Sequence, residues 1–113
     1  MLQEAQQKAA SGVCDPVYER LIKEMMEDHK HERSALVFVN SFDYEKDTIE
    51  DLMTKKKVIT EVFEIDRMQR EQRLEYLNCF QKIYSTRELP MVFISGHLIG
   101  NTQALENHFN KMF

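Results

Sequence analysis

The sequence predicts an α/β domain: a four-stranded mixed β-sheet flanked by helices, preceded by an extra helical segment. Three observations lead there. Ala35-Leu36-Val37-Phe38-Val39 is an unbroken apolar run, the mark of a strand buried on both faces. A second β-rich run, Val58 to Ile65, follows after a helical stretch, and strand–helix–strand implies a parallel pair with a right-handed crossover. The stretch from Leu89 to Gly100 then reads as a hairpin: Pro90 opens a short apolar strand, where a cis peptide bond is tolerated, and Ser95-Gly96 supplies a two-residue turn.

In chain order, residues 2 to 10 are good helix formers, separated from the rest by Ser11-Gly12. Residues 1–14 are therefore read as a helical arm and 15–113 as the domain. Asp15-Pro16 starts a helix, with Asp as cap and Pro pre-set for the first turn. Val17, Leu21 and Met25, with Ile22 and Met26, recur at helical spacing through residues 16 to 30. The strand at 35–39 runs into a loop, Asn40 to Glu45. A helix from about Lys46 to Lys57 carries Ile49, Leu52 and Met53 inward and ends in the Lys55-Lys56-Lys57 triplet, cations that suit a helix C-terminus. Residues 68 to 83 show another stripe: Leu74, Leu77 and Phe80, with Tyr76 and Ile83. Asn101-Thr102 caps a last helix that turns Leu105 and Phe109 inward.

At 113 residues the chain is one domain, and its 42 % hydrophobic and 30 % charged composition, with 3 Gly and 2 Pro, is that of a folded one. A net charge of −4 argues against nucleic acid as a partner. No apolar run approaches the roughly 20 residues that span a bilayer, and the start of the chain has no signal-peptide pattern. Cys14 and Cys79 lie far apart and form no paired motif, so a reducing, cytoplasmic setting is expected. In this reading Cys14 is exposed and incidental, and Cys79 is a small buried hydrophobe. His29 and His31 are two apart and share no helix face, so no metal or other cofactor is expected.

Several segments together resemble the glutaredoxins, a thioredoxin-fold family. Val37-Phe38 ends a first strand, Val58 to Asp66 is similar to the family's second strand with its closing aspartate, Leu89-Pro90 matches the cis-proline pair, and Ser95-Gly96-His97-Leu98-Ile99-Gly100 matches its turn. The resemblance covers about residues 17 to 112 and implies a glutaredoxin-type fold. Aligned from Phe38 to Val58, the family's Cys-x-x-Cys falls on Asp43-Tyr44-Glu45-Lys46, so Asp43 becomes a helix cap where a nucleophile would stand. The family's basic residue before the motif falls on Asn40, its glycine pair on Gly100-Asn101, and its following aspartate near Ala104. The resemblance thus implies a redox-dead member without bound glutathione or a glutathione-held cluster, comparable to the glutamic-acid-rich SH3-binding thioredoxin-like proteins around Ile65 to Arg73.

The functional expectation is a non-catalytic module, not an enzyme. It would dock a protein partner or a second copy through Phe42, Asp43, Tyr44, Leu89 and Pro90. Aromatic residues flanking a helix start are suited to such docking. The alternative is a residual glutathione-binding or thiol-dependent oxidoreductase or transferase: a transferase using bound glutathione, or a one-cysteine reductase through Cys79.

Overall fold

A computed structural model describes residues 12–112. The chain runs α1 (Pro16–Asp28), β1 (Ser34–Val39), α2 (Glu45–Lys55), β2 (Ile59–Glu64), a 3₁₀ turn (Ile65–Arg67), α3 (Arg70–Tyr84), β3 (Met91–Ile94), β4 (His97–Gly100) and α4 (Thr102–Met112). The helical arm expected for residues 2 to 10 lies outside the described residues.

The sheet order is β2-β1-β3-β4. β1 pairs in parallel with β2, Val37 opposite Val62, and antiparallel with β3, Val37 opposite Val92. Its position as an inner strand explains the unbroken apolar run, because both faces are covered. Strand side chains alternate between faces, and the alternation divides the interior into two layers. Leu36, Phe38, Met91 and Phe93 face α1 and α3, where they meet Ile22, Met26, Tyr76 and Phe80. Ala35, Val37, Val92 and Ile94 face α2 and α4, where they meet Ile49, Met53, Leu105 and Phe109. Phe38 is the hub of the first layer, with ring centroids 4.8 Å from Phe80, 5.1 Å from Phe63 and 6.0 Å from Phe93.

The mixed four-stranded sheet with flanking helices is the predicted one, with local shifts. The α1 stripe is rotated: Ile22 and Met26 are buried and Met25 half-buried, but Val17 and Leu21 are exposed. The inward face instead follows Tyr18, which packs edge-on to Tyr76 of α3 at 5.5 Å. Ile65 leaves the strand for the 3₁₀ turn, and α2 ends two residues early because Lys57 takes a left-handed φ of 58°. Asp15 caps α1, its carboxylate accepting the Val17 N–H at 2.9 Å. Asn101 caps α4 through the Ala104 N–H at 3.0 Å.

The Leu89-Pro90 peptide is cis. Both turn residues of the β3–β4 hairpin have positive φ, 54° at Ser95 and 79° at Gly96, as a two-residue turn matched to strand twist requires. At Gly96 a side chain is also sterically excluded, since a Cβ would lie 2.7 Å from the Met26 carbonyl oxygen. That contact places the C-terminal end of α1 at the β3–β4 turn, the end of the sheet where β1 begins. No helix among the described residues is long and apolar enough to cross a membrane.

Candidate functional site

Cys14 and Cys79 form a disulfide, with Cα atoms 4.6 Å apart and a sequence separation of 65. Cys14 stands immediately before the Asp15 cap of α1. Cys79 occupies the inward face of α3, whose buried residues run Glu75, Tyr76, Asn78, Cys79 and Phe80. The bond therefore ties the start of α1 to the body of α3 over the first core layer, among Leu36, Phe38, Tyr76 and Met91. Cys14 retains 9 % exposure and Cys79 none. The Asp15 carbonyl oxygen lies 3.6 Å from each sulfur. Neither sulfur carries a hydrogen while the bond is intact, so these contacts become S–H···O bonds only on reduction.

The two sulfurs differ in surroundings: Cys14 stands just before the Asp15 cap of the 13-residue helix α1, and Cys79 lies on the buried face of α3.

The β1–α2 loop carries the residues the sequence singled out. Phe42 and Tyr44 are 80 % and 84 % exposed. Asp43 between them is a cap, its carboxylate accepting the Glu45 N–H at 2.9 Å. Ser41 anchors the loop to the end of β2: its N–H and hydroxyl donate to the two Asp66 carboxylate oxygens at 2.7 and 2.6 Å. The Ser41 hydroxyl, then the Ser41 amide, hold the Asp66 carboxyl below its ordinary pKa. Pro90 is buried and Leu89 half-buried against the first core layer.

The register brings these residues to one end of the sheet. Phe38 opposite Met91 sets the cis-proline beside the exit of β1, where the loop begins. Cys14 belongs to the same end: a Cβ on Gly12 would lie 4.0 Å from Arg87 Nη2, in the loop leading to Pro90. The disulfide shares the first core layer with Leu89, the residue before the cis-proline.

No family profile and no curated protein matches the chain. Solved structures do. A wheat glutaredoxin superimposes with a TM-score of 0.69 at 22 % identity, over 88 % of this chain and 87 % of that one. The holo form of a glutaredoxin from Populus tremula x tremuloides gives 0.68 at 17 % identity, over 84 % and 88 %. A dithiolic glutaredoxin from Trypanosoma brucei brucei gives 0.65 at 22 % identity, over 80 % and 88 %. The fold is that of a glutaredoxin.

With that, the expectation of a redox-dead, non-catalytic adaptor is corrected, and so is the expectation that the chain is not an enzyme. Both assumed uncoupled cysteines on a fold stripped of its chemistry. The structure couples the only two cysteines, on the fold of a glutaredoxin. Cys14 is correspondingly buried against the core instead of exposed, and Cys79 is a bonded sulfur instead of an inert hydrophobe. The premise for a cytoplasmic setting, unpaired cysteines, also falls. Sequence reasoning missed the pair because a sequence separation of 65 hides it. The available signal was topological: the β1–β3 arrangement puts α1 and α3 on one face, with a cysteine on each contacting edge.

Proposed function

We propose that the chain is a thiol–disulfide oxidoreductase whose working couple is Cys14–Cys79. The observation that carries the reading is the disulfide itself, which joins a cysteine just before α1 to a fully enclosed one on α3. In the reducing direction, a thiolate of a dithiol attacks Cys14 Sγ. A new S–S bond forms to Cys14, the Cys14–Cys79 bond breaks, and the electron pair leaves on Cys79 Sγ, which takes up a proton. The second thiolate of the dithiol then attacks its partner sulfur in the mixed disulfide and releases Cys14 as thiolate. Two electrons have entered the pair, and the dithiol has become a disulfide. In reverse, the Cys14 thiolate attacks a substrate disulfide and Cys79 resolves the mixed disulfide.

The surroundings favour a polypeptide over glutathione as substrate. The β1–α2 loop and the turn after β2 carry Asp43, Glu45, Asp47 and Asp66, with Lys46 and Arg67 engaged by Glu64 at 3.6 and 3.5 Å, while Arg87 in the loop before Pro90 is engaged by Asn78. Such a surface repels a small peptide bearing two carboxylates. Phe42 and Tyr44, with Asp43 and the half-buried Leu89, make the proposed rim along which a substrate polypeptide lies, and Pro90 is itself buried.

The test is turnover with a disulfide-bonded peptide and with a small aromatic disulfide, in wild type, Cys14→Ser and Cys79→Ser. Both serine variants should lose turnover, and Cys79→Ser should accumulate a mixed disulfide at Cys14, visible by mass. A wild type that exchanges no disulfide, or a Cys14→Ser variant that still turns over, would overturn the reading. Phe42→Ala/Tyr44→Ala should raise KM for the peptide and leave the small disulfide unaffected.

A further inference from the structure

A cavity of about 330 Å³ lies between α1, the end of α3 and the β3–β4 turn, and neither cysteine nor any residue of the β1–α2 loop lines it. It belongs to the end of the sheet where β1 begins. Its walls are fixed by the fold. At Gly96 the hairpin comes so close to α1 that a Cβ would lie 2.7 Å from the Met26 carbonyl oxygen. The Ser95 hydroxyl donates to the His31 carbonyl at 2.9 Å, tying the turn to the segment that leads from α1 into β1. The third wall is Tyr84, whose ring packs on Phe93 at 5.0 Å and on Phe80 at 6.3 Å. Small-molecule sites are pre-formed concavities of about this size or larger, mostly apolar and with a few polar groups that fix the ligand.

Two features of the lining go beyond what packing requires. Tyr84 is half-buried, and its hydroxyl has no hydrogen-bond partner among the described residues. A tyrosine hydroxyl removed from bulk water usually has one. Burial pushes the Tyr84 phenol above its ordinary pKa, so at neutral pH it is a protonated donor. The second feature is charge. The lining holds two lysines, Lys23 and Lys30, against one carboxylate, Glu27, an excess of positive charge in a chain whose net charge is −4. Lys23 bonds Glu19 at 3.2 Å and Lys30 bonds Glu27. Each ammonium carries three N–H groups, so both retain donors beyond these pairs.

The lining selects among ligand chemistries. A wholly polar anion would leave Met26 and the Tyr84 ring uncovered. A purely apolar molecule would leave the Tyr84 hydroxyl unsatisfied, and a cation would meet two ammonium groups. A molecule with an apolar body and one anionic group meets every part of the wall.

We propose that this cavity binds a small carboxylate with an aromatic or branched aliphatic body. The body lies on Met26, Gly96 and the Tyr84 ring, and the carboxylate accepts from the Tyr84 hydroxyl and from the Lys23 and Lys30 ammonium groups. The binding involves no covalent step and is independent of disulfide exchange.

The experiment titrates the oxidised, ¹⁵N-labelled chain with sodium phenylacetate at constant ionic strength, following backbone amide shifts in wild type, Tyr84→Phe and Lys23→Gln/Lys30→Gln. A ligand of about ten non-hydrogen atoms should bind with a Kd on the order of 1 mM, so the amides of Met26, Ser95, Gly96 and His97 should shift saturably. Tyr84→Phe keeps the ring contacts and removes only the hydroxyl; it should weaken binding about three- to tenfold. The double lysine variant should weaken it at least as much, because hydrogen bonds to a charged group are the stronger ones. Phenylacetamide, with the same body and no charge, should bind more weakly, and inorganic phosphate should give no saturable shift at Gly96. Absence of saturable shifts at these amides with phenylacetate would overturn the proposal. So would a Kd unchanged in both variants, or equal affinity for the amide. The readout is binding to the oxidised chain, so a protein that exchanges no disulfide could still pass this test, and failure here would leave the oxidoreductase reading where it stands.

Discussion

Opening the Cys14–Cys79 bond should remove several kcal/mol from the fold. The cysteines are 65 positions apart, and loop-closure entropy for a chain of that length comes to roughly 14 cal/mol/K, or about 4 kcal/mol at 25 °C. Measured bridges usually deliver about 2–4 kcal/mol, so about 3–4 kcal/mol is the expectation for a bond that ties α1 to α3. By thermodynamic linkage the fold favours the disulfide by the same amount. That makes the folded pair harder to reduce than the same cysteines in the unfolded chain, by roughly 60–90 mV. The assay is urea unfolding of the oxidised protein and of the protein held reduced by dithiothreitol, monitored by circular dichroism. With a slope of about 2 kcal/mol/M for a domain of this size, reduction should lower the midpoint by about 1.5–2 M. Cys79→Ala, which removes the bond without reductant, should fall at or below the reduced protein. Equal midpoints for the oxidised and reduced forms would refute the reasoning, because a long-range clamp that leaves stability unchanged is not constraining the unfolded chain.

Two further outcomes follow from local geometry. Gly96→Ala should destabilise by about 2–3 kcal/mol in the same urea assay, since the new Cβ would meet the Met26 carbonyl oxygen at 2.7 Å and φ is 79°. Asp66→Asn should alter the acid side of the stability profile. The Asp66 pKa is lowered in the fold by Ser41 from its ordinary 3.8, so its contribution is present above that value and is lost as pH falls through the lower, folded value. Thermal melts between pH 2 and 6 should show a shallower acid decline in the variant.

The sheet was legible because its signals are local. An apolar run at 35–39 reads as a doubly covered strand, and Ser95-Gly96 suits a two-residue turn through φ. Asp15-Pro16 and Asn101 announced helix starts by chemistry that acts within three residues. What stayed hidden depends on tertiary placement. Val17 and Leu21 fit the helical period as well as Tyr18 does, and only the docking of α1 on Tyr76 decides which face turns inward. The disulfide is the extreme case: its partners look like an incidental residue before a cap and a hydrophobe in a helix. Their proximity arises only when α1 and α3 are laid on one side of the sheet. The Asp43-Tyr44-Glu45-Lys46 segment was read correctly as lacking sulfur at the start of α2, but the conclusion drawn from it, that the molecule carries no thiol couple, does not follow.

The position of the couple has a consequence for how reduction and structure are connected. A bond confined to one loop would open with little effect beyond that loop. This one joins two helices that share the core layer with Phe38, Met91 and Phe93, so opening it frees the start of α1 from α3. What then holds the start of α1 is the Asp15 cap on Val17, the Glu19–Lys82 ion pair at 2.7 Å and the Tyr18–Tyr76 ring contact. A cap contributes about 1 kcal/mol and an exposed ion pair less, against the several kcal/mol of the bridge. The reduced protein should therefore expose the first turn of α1 before anything else, and backbone amides near Cys14 and Tyr18 should lose hydrogen-exchange protection on reduction while those of β1 keep theirs. Uniform loss across β1 and α1 would mean that the bond holds the whole layer together. No change in α1 would mean that packing, not the disulfide, sets its position.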